Sequence, residues 1–156
     1  MADTATRQGD TALLDDPVAQ ELLQSRYPAH LAYNWTDGTP RVVPIWFHWD
    51  GRAVVMCSPV NAPKVKSLTD GTPVAVTIDS YDFPYKVLYL RGPAAVDEVE
   101  GVAPEYASAA VRYFGEEQGS AWLRQLPSGM VMERFTLTPQ WVAVLDFQTR
   151  FPSAIS

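Results

Sequence analysis

One cysteine, two histidines and no block of basic residues leave this 156-residue chain short of the parts from which sites are commonly built. A single thiol, Cys57, excludes an intramolecular disulfide framework and fits a reducing compartment. His30 and His48 are the only imidazoles, too few with one thiol for an all-protein transition-metal site or a Ser-His-Asp nucleophile. No metal is therefore expected. Neither a GxGxxG dinucleotide fingerprint nor a GxxxxGK[ST] phosphate loop occurs. The net charge of -6 makes nucleic acid and anionic membrane surfaces poor partners. No apolar stretch reaches the length of a membrane span, and the N-terminal MADTATRQGD lacks the apolar core of a signal peptide, so a cytoplasmic protein is expected. Residues 1–10 are expected to be a disordered tail and 151–156 a C-terminal tail.

What is present suits one domain over 11–150: 47% apolar residues and five tryptophans are enough for one core. Asp16-Pro17 signals a helix start, with Val18, Leu22, Leu23 and Tyr27 as its apolar face and Pro28 as its end. Strands are expected at His30–Trp35, Val74–Ile78, Lys86–Val99 with a kink at Gly92-Pro93, Met130–Leu137 and Trp141–Phe147. Pro104 to Leu126 has helical spacing, divided at Gly115 and Gly119. Short turns between successive strands imply a mainly β, α+β domain: an antiparallel sheet of six or seven strands curling into a barrel, with flanking helices.

The segment RVVPIWFHWDGRAVVMCSPVNAPK, Arg41 to Lys64, carries the most information. Arg41–Asp50 has strand composition, Asp50-Gly51 supplies a tight hairpin turn, and Arg52–Ser58 is the return strand. A short helix then opens with Asn61 as N-cap and Pro63 in the first turn. Lys64 and Lys66 stand in that turn, where cations oppose the helix dipole unless an anion lies between them. Pro44 cannot donate to a ladder, so it marks either an edge strand or backbone that faces a ligand. Six of the twelve basic residues fall between Arg41 and Arg91, a pattern suited to a small anionic ligand. His48 reads either as a surface or lid residue or as a proton donor beside a ligand, the one catalytic candidate.

The succession DGTPRVVPIWF from Asp37, then Asp50-Gly51, Cys57-Ser58 and APKVKSL from Ala62, resembles the FMN- and F420-binding split β-barrel family related to pyridoxamine 5'-phosphate oxidase, over about Leu13 to Phe147. The resemblance implies a homodimer of split β-barrels with two flavin sites at the interface, taking FMN or F420. Carried over by position, it implies Val43, Pro44, Ile45 and Trp46 along the ring and Arg41 near the ribityl-phosphate end. Cys57 and Ser58 would meet the ribityl or phosphate, with Lys64 as principal phosphate ligand. Trp46 stands where pyridoxamine phosphate oxidases have lysine, and Val144–Phe147 replaces their basic C-terminal segment, so the likeness is to the reductase branch.

So few nucleophiles and bases imply that any reactivity is borrowed from a cofactor. The leading expectation is a flavin-dependent oxidoreductase exchanging hydride with a small conjugated substrate. The alternatives are a non-catalytic flavin- or haem-binding module, and a dimer core of Trp46, Trp49 and Trp141 with no ligand.

Overall fold

The computed structural model describes residues 6–154. Aspartates open its first two elements. The Asp10 carboxylate accepts from Ala12 N at 2.8 Å and starts a 3-10 turn at Thr11–Asp15. That of Asp16 accepts from Val18 N at 2.9 Å and caps α1, Pro17–Leu23, with proline in the first turn as expected. Ala19, Leu22 and Leu23 are its buried face. Each leucine so buried contributes roughly 1.5–3 kcal/mol.

Eight strands follow: β1 (Ala29–Asn34), β2 (Pro40–Ile45), β3 (Phe47–Trp49), β4 (Val54–Pro59), β5 (Thr72–Asp79), β6 (Val87–Glu100), β7 (Val131–Leu137) and β8 (Trp141–Leu145). They form one antiparallel sheet in the order β2-β1-β5-β6-β7-β4-β3, with β8 also paired to β6. The fourteen-residue β6 is the common strand: its first half pairs with β5 and β8, its second half with β7. The sheet curls around a core that includes Leu31, Phe47, Met56, Ile78, Leu90 and Phe135.

The count is eight rather than six or seven because the segment expected as one strand, Arg41–Asp50, breaks at Trp46. β2 pairs with β1 and β3 with β4, so the two ends of the sheet are consecutive in sequence across that residue. The Asp50-Gly51 hairpin is present, with Gly51 at φ 96° and the Asp50 carboxylate accepting from Arg52 N and Ala53 N. β2 pairs only with β1, which gives Pro44, opposite His30, an edge strand.

Between β6 and β7, α2 (Pro104–Phe114) and α3 (Glu116–Arg124) meet at Gly115, φ 86°. Gly119 is not a break. It lies inside α3, where an added Cβ would stand 2.8 Å from Ala110 O and from Val111 Cα, so glycine permits the close approach of the two helices. Gly92 likewise marks close contact rather than a kink, because a Cβ there would meet Leu137 and the Thr138 carbonyl at 3.2 Å while β6 runs on unbroken. α2 covers a second, smaller core of Val55, Cys57, Ala103 and Met132.

Residues 1–5 of the tail expected at 1–10 lie outside the described residues. Within 6–10 the chain is tied to β8: Gln8 exchanges side-chain hydrogen bonds with both backbone groups of Val144, and Gly9 N donates to Val142 O at 2.7 Å. These bonds occupy the strand edge that β8 would otherwise expose.

Candidate functional site

β4 has a partner on each side only as far as Met56. Beyond it Cys57, Ser58 and Pro59 keep β7 on one side and, among the described residues, have no strand on the other, because β2 has crossed to β1. The barrel is split there. Ser58 is buried, 4% exposed, and the chain runs from it through Pro59 into the turn that carries Lys64.

That turn is not the helix expected from the sequence. It is a 3-10 turn of four residues, Pro63–Lys66, and its cap is Ala62 with no side-chain bond rather than Asn61. Lys64 and Lys66 belong to its last turn as much as its first, so no dipole conflict exists. Burial replaces it. Lys64 is half-buried, desolvation pushes its ammonium pKa below the usual lysine value, and no carboxylate among the described residues pairs with it. One turn on, the Ser67 hydroxyl is buried without a hydrogen-bond partner, an omission that costs about 1–3 kcal/mol. Both groups are donors of the kind a phosphate oxygen accepts from. Ser67 escaped the sequence reading, although Lys-x-Lys-Ser places a hydroxyl directly beside the two cations.

The other expected site residues do not gather in one cavity. Val43 packs against the main core and Ile45 is buried in it. Trp46 lies against α2, stacked on Tyr113 with centroids 5.2 Å apart and edge-on to Phe114 at 4.9 Å. Cys57 is buried under α2, where desolvation and the Glu105 charge push its thiol up to about 12 against the opposing pull of Arg134. His48 stands half-buried opposite Val55, on the face of β3 that looks toward α2. Arg41 is exposed at the other end of β2, bonded to Thr39 Oγ1 at 2.7 Å. Pro44, Ser58 and Lys64 remain free of such commitments.

A second feature lies on the outer face of the sheet. Pro44, His30, Thr77 and Tyr89 are successive cross-strand neighbours on β2, β1, β5 and β6, and so share one face. His30 Nδ1 is 3.4 Å from Asp79 Oδ1. Beside this pair opens a pocket of about 450 Å³, walled by Thr77, Asp79, Tyr81, Tyr85, Tyr89 and Phe147. Toward the other end of the face is a shallower cleft of about 590 Å³ that includes Arg41, Ala75 and Arg91, the last stacked 3.9 Å over Trp141. Sequence reasoning had no means to join His30 to Asp79, forty-nine positions apart, since only the β1–β5 ladder does so.

No family model and no curated protein matches the chain. Solved structures do. An F420 reductase superposes with a TM-score of 0.58 at 22% identity, covering 80% of this chain and 94% of its own. A conserved hypothetical protein from Mycobacterium tuberculosis gives a TM-score of 0.67 at 15% identity, over 92% and 91% of the two chains. The haem-storage protein HutZ from Vibrio cholerae gives 0.57 at 20% identity, over 83% and 93%. The likeness is one of fold: the chain is a split β-barrel of the kind on which these proteins are built.

Proposed function

We propose that this chain is a flavin-type oxidoreductase that uses FMN or F420 to transfer hydride to or from a small conjugated substrate in the cytoplasm. The observation that carries the reading is the turn after β4, where a half-buried lysine and, three positions on, a buried hydroxyl each have no side-chain partner among the described residues. Lys64 and Ser67 would hold the phosphate, with Ser58 beside them at the split. The backbone from Val43 to Trp46 would border the ring and Pro44 would present its exposed edge, with Arg41 toward the ribityl or tail end. Cys57 is assigned at most a backbone contact, its thiol being enclosed. When bound, the cofactor supplies the hydride chemistry; the side chains bind, orient and exclude water.

The reading includes a homodimer. The outer face bears Val42, 64% exposed, beside Pro44, His30 and Ala32, and a second copy laid against it would close the site from outside. The F420 reductase among the fold's neighbours supports the activity, and an FAD- and haem-binding protein from Mycobacterium smegmatis, at a TM-score of 0.57, supports the alternative of a binding module. That alternative has one feature in its favour: His30, half-exposed and oriented by a carboxylate, is what an iron ligand requires.

Calorimetric titration of the purified chain with FMN, F420 and haem separates these readings. Binding of FMN or F420 that Lys64→Ala weakens about ten- to a hundredfold is expected. Binding of haem alone, or of none of the three, rejects the oxidoreductase.

A further inference from the structure

Phe147 is the only described residue other than glycine with positive φ, at 53°. A bulky aromatic side chain in that region is strained, and such strain persists only where surrounding bonds impose it. Here they do. The Asp146 carboxylate accepts from Gln148 N, Thr149 N and Arg150 N at 2.7–2.9 Å, and Arg150 bonds Asp16 at the head of α1 at 2.6 Å. The effect is to stand the Phe147 ring edge-on to Tyr85, with centroids 5.6 Å apart and planes at 89°, as one wall of the 450 Å³ pocket. Tyr81, Tyr89 and Asp79 form further walls, and His30 stands behind Asp79, Nδ1 3.4 Å from its Oδ1. Aromatic walls around a cavity of this size suit a flat conjugated molecule of one to three rings.

We propose that this pocket takes the conjugated substrate, a quinone or enone, and that His30, positioned by Asp79, delivers the proton that accompanies the hydride. The inference rests on the oxidoreductase reading. His30 is the cross-strand partner of Pro44, about 4.5–5.5 Å away between Cα atoms, and of Thr77 in the pocket wall, so it stands between the proposed ring position and the pocket. Asp79 Oδ1 lies 3.4 Å from Nδ1, which leaves Nε2 to face a ligand. A quinone that takes a hydride from the reduced cofactor becomes a hydroquinone monoanion, two electrons richer. The Nε2 proton then neutralises its oxygen, and solvent restores the imidazolium. His48, on the α2 side of β3, takes no part.

The test separates pocket, proton donor and cofactor. Menadione should quench the fluorescence of the cofactor-free chain, and Tyr85→Ala, at an exposed position, should weaken that binding at least tenfold. Undetectable binding, or binding indifferent to Tyr85→Ala, overturns the pocket. With reduced FMN or F420 bound, His30→Gln should lower kcat for menadione by about a hundredfold. Menadione and cofactor affinities should stay unchanged, and added imidazole should restore part of the rate. Asp79→Asn should lower kcat with the same affinities, whereas His48→Gln should be silent. A His30→Gln enzyme within threefold of the parent, no turnover by the parent, or a haem Soret band that disappears in His30→Gln each overturns the proton-donor assignment. Failure of either cofactor to bind sinks the oxidoreductase reading instead, and the menadione titration still decides the pocket.

Discussion

Replacing Lys64 with methionine should move stability and affinity in opposite directions. The ammonium is half-buried and has no carboxylate partner among the described residues, so in the free protein it is a charge partly stripped of water with nothing in return. Folding lowers its pKa from the usual lysine value, through desolvation. The sign follows. Between the lowered folded pKa and the unfolded value near 10.5 the unfolded chain binds more protons, so stability rises with pH across that window, and below it the charge remains a penalty. Methionine keeps the length and apolar stem and removes the charge, so the Tm of the free protein should hold or rise. Cofactor affinity should fall, because a charge-assisted bond to phosphate contributes roughly 1.5–3 kcal/mol, or about ten- to a hundredfold in Kd. Differential scanning fluorimetry of the free protein and calorimetry with FMN and F420 read the two arms. A Lys64→Met protein that melts several degrees lower and binds either cofactor normally would show Lys64 to be a structural residue, and the anion argument would be wrong.

Asp146→Ala should cost about 1.5–3 kcal/mol at neutral pH by freeing the turn it caps. Burial alone would raise the Asp146 pKa, but bonds from the Thr149 hydroxyl and three backbone N–H groups hold it well below the carboxylate range. Its contribution is therefore present above about pH 4 and lost below, and the Tm gap between parent and variant should shrink on acidification. Gly119→Ala should destabilise by about 1–2 kcal/mol, because contact with the Ala110 and Val111 backbone at 2.8 Å outweighs the roughly 1 kcal/mol gained in helix propensity; a higher Tm refutes the packing role. Cys57 should react with iodoacetamide at pH 8 at least about a hundredfold more slowly than a free thiol, until urea exposes it; rapid labelling of the folded chain would contradict its burial.

The elements whose cause is local were legible in the chain. Asp16-Pro17, Asp50-Gly51 and Gly115 each carry their own start or turn chemistry, and the structure places a helix start, a hairpin and a helix junction there. Trp46 carried no such signal. Ile45 and Phe47 on either side are good strand residues, and what breaks the strand is the exchange of partners from β1 to β4, decided by sequence far away. The helix expected after Asn61 failed for a related reason: N-cap and proline fix where a turn begins, not how long it runs, and Leu68 is drawn into the barrel core within two residues of its end. The site divides along the same line. Lys64 was singled out from the sequence on a dipole conflict that the short 3-10 turn does not have; what the structure shows there instead is a desolvated ammonium. Ser67 and the His30–Asp79 pair were not legible, since neither burial of a hydroxyl nor contact across a ladder is written in spacing.

The turn at the end of the barrel shows how a strained group is kept in place. Left alone, the Phe147 backbone would relax to negative φ and take its ring off the Tyr85 edge, at a gain of roughly 1–3 kcal/mol. Three backbone bonds to one half-buried carboxylate offset that gain, the set together contributing the roughly 1.5–3 kcal/mol expected to be lost in Asp146→Ala. Arg150 adds a second anchor by reaching Asp16, so that the cap of α1 and the pocket wall share one guanidinium. A loop that only had to leave the sheet could do so without positive φ at a phenylalanine. The bonds that enforce it hold the ring edge-on between Tyr85 and Phe151, and on the proposed reading that position is what a flat ligand in the pocket meets.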